Sequence, residues 1–193
     1  MILFFHTETT GLPINTALLT IPASLVSCSS QRCFARMTGR KRATLNLVVN
    51  PGIPIPEEAS RIHRITDDVA ARCGVSPKAA GVAFLAMIER AGIIAAHNIG
   101  FDLMMIKILA RREGLEISAA PEHFCTMKAS TPVLNLPPTD RMKAAGFNKP
   151  KSPRLEEAYR HFFGNDLEGA HDAMVDVRAC RDVYFKLKEG GSL

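Results

Sequence analysis

Residues 2–11 read Ile-Leu-Phe-Phe-His-Thr-Glu-Thr-Thr-Gly, an apolar run that passes directly into a polar motif. The four bulky apolar residues predict a buried strand. A strand that ends in Asp-x-Glu would deliver two carboxylates to a divalent metal ion, because residues i and i+2 point to the same side. Here Glu8 supplies the second carboxylate, but the first position holds His6.

The length and composition are those of one globular domain. With 193 residues, 47% of them hydrophobic, the chain is long enough to bury a core. No apolar run reaches the roughly 18 residues of a membrane span, and no basic segment precedes the first apolar run as in a signal peptide. The five cysteines are scattered without a CxxC pair, which favours reduced thiols. We therefore expect one domain over 1–193, no membrane association and a cytoplasmic location.

The net charge of +5 comes from one part of the chain. Five positive charges lie between residues 32 and 42, and the remaining sequence is neutral. A local excess of this kind does not by itself indicate a nucleic-acid-binding surface, because a solvated basic loop explains it equally well.

Hydrophobic periodicity and turn residues divide the chain into interspersed strands and helices. Strands are predicted at 1–6, 43–49, 92–96 and 123–126. Helices are predicted to begin near Glu57, Thr66 and Ser76, and to span 101–112, 154–162 and 170–187. Five prolines predict a surface loop over 131–153. Together the elements indicate a single α/β domain.

The segment from 22 to 42 is atypical. It has neither a clear strand period nor a clear helix period, although a second sheet strand is expected before residues 43–49. One hypothesis is a local frameshift, because a frame two bases on can encode an apolar strand followed by an acidic turn. The strand would then be damaged and the sheet destabilised. A natural segment of unusual composition is the alternative.

Two later segments place polar side chains where helices begin. Residues 97–102 read His-Asn-Ile-Gly-Phe-Asp and follow the strand predicted at 92–96. Residues 171–176 read His-Asp-Ala-Met-Val-Asp and open the last helix. Positions five apart lie about 140° apart around a helix. Asp176 can therefore face a metal cluster while His171 reaches an attacking water.

These three motifs, in this order, resemble those of the DEDDh (DnaQ-like) 3′–5′ exonucleases. The family pattern Asp-x-Glu-Thr-Thr-Gly is matched at 6–11 except for His6, and the patterns His-Asn-x-x-Phe-Asp and His-x-Ala-x-x-Asp are intact. Residues 62–66 also look like the family segment before its second motif. The resemblance implies a ribonuclease-H-like fold, with a mixed sheet of about five strands flanked by helices.

The resemblance also implies the roles of the site residues. Glu8, Asp102 and Asp176 would hold two divalent cations, Mg²⁺ or Mn²⁺, and His171 would act as the general base, so these four form the catalytic set. The terminal nucleotide would be bound by Thr9, Thr10, Gly11, Leu12, Asn98 and Phe101. Phe101 would serve equally well as a core residue.

His6 is expected to impair this chemistry. Imidazole is neutral in its metal-binding form, donates through one nitrogen and is a poor ligand for Mg²⁺. We expect severely reduced activity that Mn²⁺ supports better than Mg²⁺. A strand-end histidine without a metal role is the competing interpretation.

The expected partner is the 3′ end of single-stranded DNA or RNA. Two alternatives to an active proofreading or repair nuclease stay open: a catalytically inactive nucleic-acid-binding domain and an exoribonuclease, which a contact to the 2′-hydroxyl would distinguish. A DNA polymerase partner is a weaker prediction, because no polymerase-binding tail follows Leu187.

Overall fold

The described part of the chain contains seven strands and eight helices. The computed structural model describes residues 1–10, 18–20, 23–27, 40–170 and 172–190, with side chains described for 1–10, 43–170 and 172–190. The strands are β1 (Ile2–Phe5), β2 (Glu8–Thr9), β3 (Leu18–Thr20), β4 (Ala23–Ser27), β5 (Arg40–Leu45), β6 (Ile93–Ala96) and β7 (Glu122–Cys125). The helices are α1 (Glu57–His63), α2 (Asp67–Cys73), α3 (Pro77–Ile88), α4 (Ile99–Glu113), α5 (Thr126–Leu134), α6 (Asp140–Ala144), α7 (Leu155–Phe163) and α8 (Ala173–Glu189).

Five strands form one mixed sheet in the order β5-β4-β1-β6-β7. β1 lies in the middle, antiparallel to β4 and parallel to β6, and β6 is parallel to β7. β2 and β3 form a separate antiparallel pair. This arrangement confirms the predicted α/β fold with a mixed sheet of five strands.

β1 is apolar on both faces because helices cover both sides of the sheet. Phe5 packs on the side of α3 and α4, where its ring centroid lies 5.2 Å from that of Phe84. Phe4 packs on the opposite side against α8, with its ring centroid 5.3 Å from that of Tyr184. All four rings are at most 2% exposed. The prediction of a buried strand from this apolar run is therefore confirmed.

A strand does form within the atypical segment 22–42. β4 pairs with β1 on one side and with β5 on the other, with a register irregularity between Leu25 and Val26. The sequence of 23–27 has no alternating pattern, yet it forms a strand because it is hydrogen-bonded to a neighbouring strand on each side. The rest of the segment up to residue 39 lies outside the described residues.

The surface loop predicted over 131–153 is wrong in part. α5 continues to Leu134 with Pro132 inside it, and α6 begins at Asp140. Val133 and Leu134 pack against the core formed by α7 and α8. That burial outweighs the backbone hydrogen bond that Pro132 cannot donate.

The strand predicted at 43–49 is also shifted. β5 ends at Leu45, and Val49 instead forms an isolated parallel bridge with Val75. The Asn50 N–H donates to the Val75 carbonyl over 2.9 Å, so this part of the chain pairs with the end of α2 rather than with the sheet.

Candidate active site

The three sequence motifs meet at one edge of the sheet. Parallel strands present their carboxyl ends at the same edge, and the polar motif at 6–10 follows β1 while residues 97–102 follow β6. The first turn of α8, which packs against β1 and β6, brings Asp176 to the same place. The fold therefore assembles residues that are up to 170 positions apart in the sequence.

The His6 ring lies among three carboxylates. Its Nε2 is 3.1 Å from Glu8 Oε1 and 3.9 Å from Asp176 Oδ2, and its Nδ1 is 3.5 Å from Asp102 Oδ1. The ring is 27% exposed, so it retains limited contact with solvent. The three predicted acidic residues thus do converge, and they converge on the histidine.

These contacts set the protonation state of His6. Burial by itself would lower the pKa of His6, but hydrogen bonds and charge from Asp102 and Glu8 raise it to about 10. At neutral pH the ring is therefore an imidazolium that balances part of the surrounding negative charge. In the metal-free chain this cation lies where carboxylates would otherwise repel one another.

Asp102 is held rigidly at the bottom of the site. It is 1% exposed, and its Oδ1 accepts a hydrogen bond from the Thr7 hydroxyl at 2.9 Å. Asn98, in the left-handed conformation at φ 70°, reverses the chain between β6 and α4 and so puts Asp102 in the first turn of the helix. The helix dipole favours a negative charge at that position.

Asp176 is positioned by the cap of α8. The Asp172 carboxylate accepts from the N–H groups of Met174 and Val175, which fixes the first turn. Asp176 lies in this turn with 8% of its surface exposed. His171, the predicted general base, directly precedes the cap and lies outside the described residues.

Thr7→Val should show how strongly Asp102 depends on its hydroxyl partner. Thr7 is 2% exposed, and valine keeps the shape of threonine without the donor. Because a buried hydrogen bond to a charged group contributes about 1.5–3 kcal/mol, the free energy of unfolding should fall by about that amount. Urea titration of both proteins measures the difference, and a loss below about 0.5 kcal/mol would show that Thr7 does not support Asp102.

A cavity opens beside the carboxylates. It has a volume of about 380 Å³ and is bounded by the residues after β1, by α1 and by Phe101. The described lining residues are His6, Thr7, Glu8, Thr9, Thr10, Pro56, Glu58, Ala59, Ile62, His63 and Phe101. The structure therefore brings Thr9, Thr10 and Phe101, which the sequence predicted to bind the terminal nucleotide, together at a cavity next to the acidic cluster.

One predicted binding residue, Asn98, is not part of the described lining of the cavity. Asn98 is exposed and precedes α4 in the left-handed conformation. Gly11 and Leu12 lie outside the described residues.

His63 is a lining residue that the sequence analysis missed. The Ile65 N–H donates to His63 Nδ1 over 3.1 Å, so the neutral ring carries its proton on Nε2. That Nε2 is buried and has no partner among the described residues. Burial lowers the pKa of His63, which keeps the ring neutral. The resemblance at 62–66 was the one sequence signal that pointed to this residue.

The donor atoms fit a metal ion only in part. His6, Glu8 and Asp176 each offer one ligand atom, and these atoms all lie within 4.8 Å of one another. Two carboxylates and one imidazole suit a transition ion such as Mn²⁺ or Zn²⁺ better than Mg²⁺. A ring nitrogen must first lose its proton to bind any ion, so metal and proton compete for His6.

Comparison with known proteins places this arrangement in a family. The sequence model of RNase_T, described as "Exonuclease", matches residues 3–184. The chain belongs to the RNase_T exonuclease family. Its match to the family includes all three motifs.

Individual relatives of this RNase_T chain are also exonucleases. It is 28% identical over 193 residues to the uncharacterized exonuclease CP81 of Escherichia phage 186, with 98% of this chain and 89% of that protein covered. Its fold is similar to that of Escherichia coli exonuclease I in complex with a dA16 oligonucleotide, at a TM-score of 0.74 and 19% identity. A zinc-bound complex of E. coli exonuclease I with single-stranded DNA gives 0.73 and 17%.

The similarity to exonuclease I extends over nearly all of this chain but over less than half of exonuclease I. Each comparison with exonuclease I covers 97% of this chain but 40% of the other, so this chain spans about two-fifths of their length. The similarity shows a shared ribonuclease-H-like fold. Among the described residues of this chain, no helix is both long enough and apolar enough to cross a membrane.

Proposed function

We propose that this RNase_T exonuclease removes nucleotides from the 3′ end of a nucleic-acid strand by metal-dependent phosphodiester hydrolysis. One observation supports this most strongly: Glu8, Asp102 and Asp176 converge at the carboxyl end of β1, beside a cavity, although they come from three separate motifs. Such a cluster of carboxylates is the donor set that hard divalent cations prefer.

In this proposal Glu8, Asp102 and Asp176 would hold two divalent cations, Mg²⁺ or Mn²⁺. When bound, the ions neutralise charge that develops on the attacking and leaving oxygens. Thr7 keeps Asp102 oriented through its hydrogen bond. His171, next to the cap of α8, accepts the proton of the attacking water.

The cavity is the proposed binding site of the terminal nucleotide. Phe101 and Ile62 offer apolar surface for the base and sugar, and the residues at 9 and 10 offer hydroxyl and backbone groups. Its apolar lining beside a cluster of charges suits a nucleotide, whose base is flat and apolar and whose phosphate is charged. Exonuclease I, which has a similar fold, has been solved in complex with single-stranded DNA, and this supports the choice of substrate.

The direction of degradation can be tested with a single-stranded oligonucleotide labelled at its 5′ end. A 3′–5′ exonuclease produces a ladder of shortening labelled strands, whereas the opposite polarity releases a labelled mononucleotide at once. DNA and RNA strands of the same sequence show whether a 2′-hydroxyl is accepted. A labelled mononucleotide as the first product would contradict the proposed polarity.

A second function, binding without cleavage, is favoured by the position of His6. A ring that contacts all three carboxylates occupies the place where cations would bind. A folded chain that binds the oligonucleotide but leaves it intact in Mg²⁺ and Mn²⁺ would support this function. A DNA polymerase partner, a cytoplasmic location and a single domain over 1–193 stay predictions from the sequence.

A further inference from the structure

Residues 137–150 form an excursion from the body of the domain, between α5 and α7. The Lys151 N–H donates to the Leu136 carbonyl over 3.1 Å, which closes the two ends of the excursion. α6 lies within it, and every residue from 139 to 150 except Met142 is exposed. The chemistry proposed above makes no use of this surface.

Phe147 is held out on the 137–150 excursion. At 60% exposure it is the most exposed large apolar side chain among the described residues. Its N–H donates to the Met142 carbonyl at 2.8 Å, and the Gly146 N–H donates to the Lys143 carbonyl at 2.9 Å, with Gly146 at φ +79°. This pair of hydrogen bonds is the Schellman motif that ends α6. These hydrogen bonds fix the backbone at Phe147, while most of its side chain is exposed to solvent.

The charge around Phe147 is positive. Residues 139–151 contain four cations and one carboxylate, a net charge of +3. Two of these cations have carboxylate partners. Arg141 and Lys149 have none among the described residues, so their charges are available to an anionic partner.

The residues that follow the excursion are hydrogen-bonded to a residue beside the candidate active site. His97 Nε2 lies 3.0 Å from the Pro153 carbonyl, and its Nδ1 lies 2.9 Å from Thr126 Oγ1. Because a carbonyl can only accept, Nε2 donates and Nδ1 accepts from the hydroxyl. His97 directly follows β6 and is five residues from Asp102. The excursion thus leaves the domain at the edge of the sheet where the carboxylates converge.

We infer that the 137–150 excursion is a second contact site for single-stranded nucleic acid, which binds the strand beyond the nucleotide in the cavity. Phe147 stacks on a base, and Arg141 and Lys149 contact backbone phosphates. An exposed aromatic ring combined with unpaired cations is how proteins hold a strand without reading its sequence. The inference rests on the proposed function, because it assigns this surface to the same substrate.

The stacking contact can be tested by fluorescence anisotropy with a labelled oligothymidylate in metal-free buffer, where no strand is cut. Phe147→Ala should weaken binding about tenfold, within the range measured for loss of one stacked base. Phe147→Trp should bind as the parent chain does. Val82→Ala is the matched control, since Val82 is also an exposed apolar residue, 53% exposed, but lies on α3. Thermal unfolding of each variant verifies that it is folded.

A strand with abasic sites separates stacking from other roles of Phe147. If the ring stacks on a base, the parent chain and Phe147→Ala should bind the abasic strand equally well. An equal loss on both strands, or no loss on oligothymidylate, overturns the stacking contact. The first of these results would point instead to a structural role of Phe147, and the second to a partner other than nucleic acid.

The phosphate contacts can be tested through the salt dependence of binding. Each phosphate contact to a single strand contributes about 0.7 to the slope of log affinity against log salt concentration. The double variant Arg141→Ala/Lys149→Ala should therefore lose about 1.4 from the slope. Lys78→Ala/Arg90→Ala is the matched control, because both residues are exposed cations elsewhere on the domain. An unchanged slope in the first variant would contradict the inference.

The outcomes distinguish the inference from the proposed function. A parent chain that binds through Phe147 but never cuts would leave the inference standing and remove the exonuclease proposal for this chain. If the parent chain cuts, but Phe147→Ala and Arg141→Ala/Lys149→Ala leave binding unaffected, the exonuclease proposal stands and the inference is overturned. A parent chain that neither binds nor cuts a strand would overturn both.

Discussion

The His6→Asp variant is expected to release mononucleotides from a single-stranded 3′ end in Mg²⁺ at least about 100-fold faster than the parent chain. In the parent, three carboxylates and one imidazolium give the cluster a charge of −2 at neutral pH. In the variant, four carboxylates give a formal charge of −4. The substitution both removes a cation that repels Mg²⁺ and adds a carboxylate that can bridge two ions.

Two comparisons test whether the gain comes from the added carboxylate: Mn²⁺ against Mg²⁺, and the neutral variant His6→Asn against His6→Asp. Mn²⁺ accepts imidazole more readily than Mg²⁺, so the gain from His6→Asp should be smaller in Mn²⁺. His6→Asn is the control, because it removes the imidazolium without adding a carboxylate and should recover little activity. Equal rates for the parent and His6→Asp in Mg²⁺, with both proteins folded, would show that His6 does not limit catalysis.

The second large effect concerns stability in the absence of metal. The pKa of His6 is raised from its ordinary 6.5 to about 10 in the folded chain by Asp102 and Glu8, against the effect of burial. A raised pKa stabilises the fold fully below about pH 6.5, and this stabilisation is lost as the pH rises through about 10. The contribution is on the order of a few kcal/mol at neutral pH, because each unit of pKa shift corresponds to about 1.4 kcal/mol.

Unfolding in urea between pH 6 and 10.5, with a chelator present, measures this contribution. The parent chain should be more stable than His6→Asn at pH 7, and the two should converge as the pH approaches 10. The difference between the two proteins isolates His6 from the other groups that titrate over this range. A gap that stays constant with pH would show that the ring is not protonated in the folded state.

The parts of the fold that are encoded locally could be predicted from the sequence. β1 was evident because a short run of bulky apolar residues that ends in a turn is typical of a buried strand. Thr66 and Ser76 indicated the starts of α2 and α3, and both side chains do accept hydrogen bonds at those helix ends. Each of these signals lies within a few residues of the element that it defines.

Elements that depend on distant partners were less predictable. β4 has a weak pattern of its own and is defined by pairing with β1 and β5. α5 extends through Pro132 because residues of α7 and α8 cover its end. In both cases tertiary contacts outweigh the local preference of the segment.

In the candidate site, too, some features could be predicted from local sequence and others depend on distant partners. The motifs indicated which side chains converge, and Glu8, Asp102 and Asp176 do converge. The sequence could not show that His6 contacts all three, because that depends on how three distant elements pack. His63 was missed for a similar reason: its place in the lining of the cavity depends on how α1 packs beside the residues after β1.

The central claim, that His6 occupies the place of the metal, is tested most directly by titrating Mn²⁺ into the metal-free parent chain and into His6→Asp in a calorimeter. We expect the variant to bind two ions, and the parent to bind Mn²⁺ at least about tenfold more weakly with release of a proton, seen as a heat that depends on the buffer. Two ions bound to the parent as tightly as to the variant, without proton release, would contradict the claim.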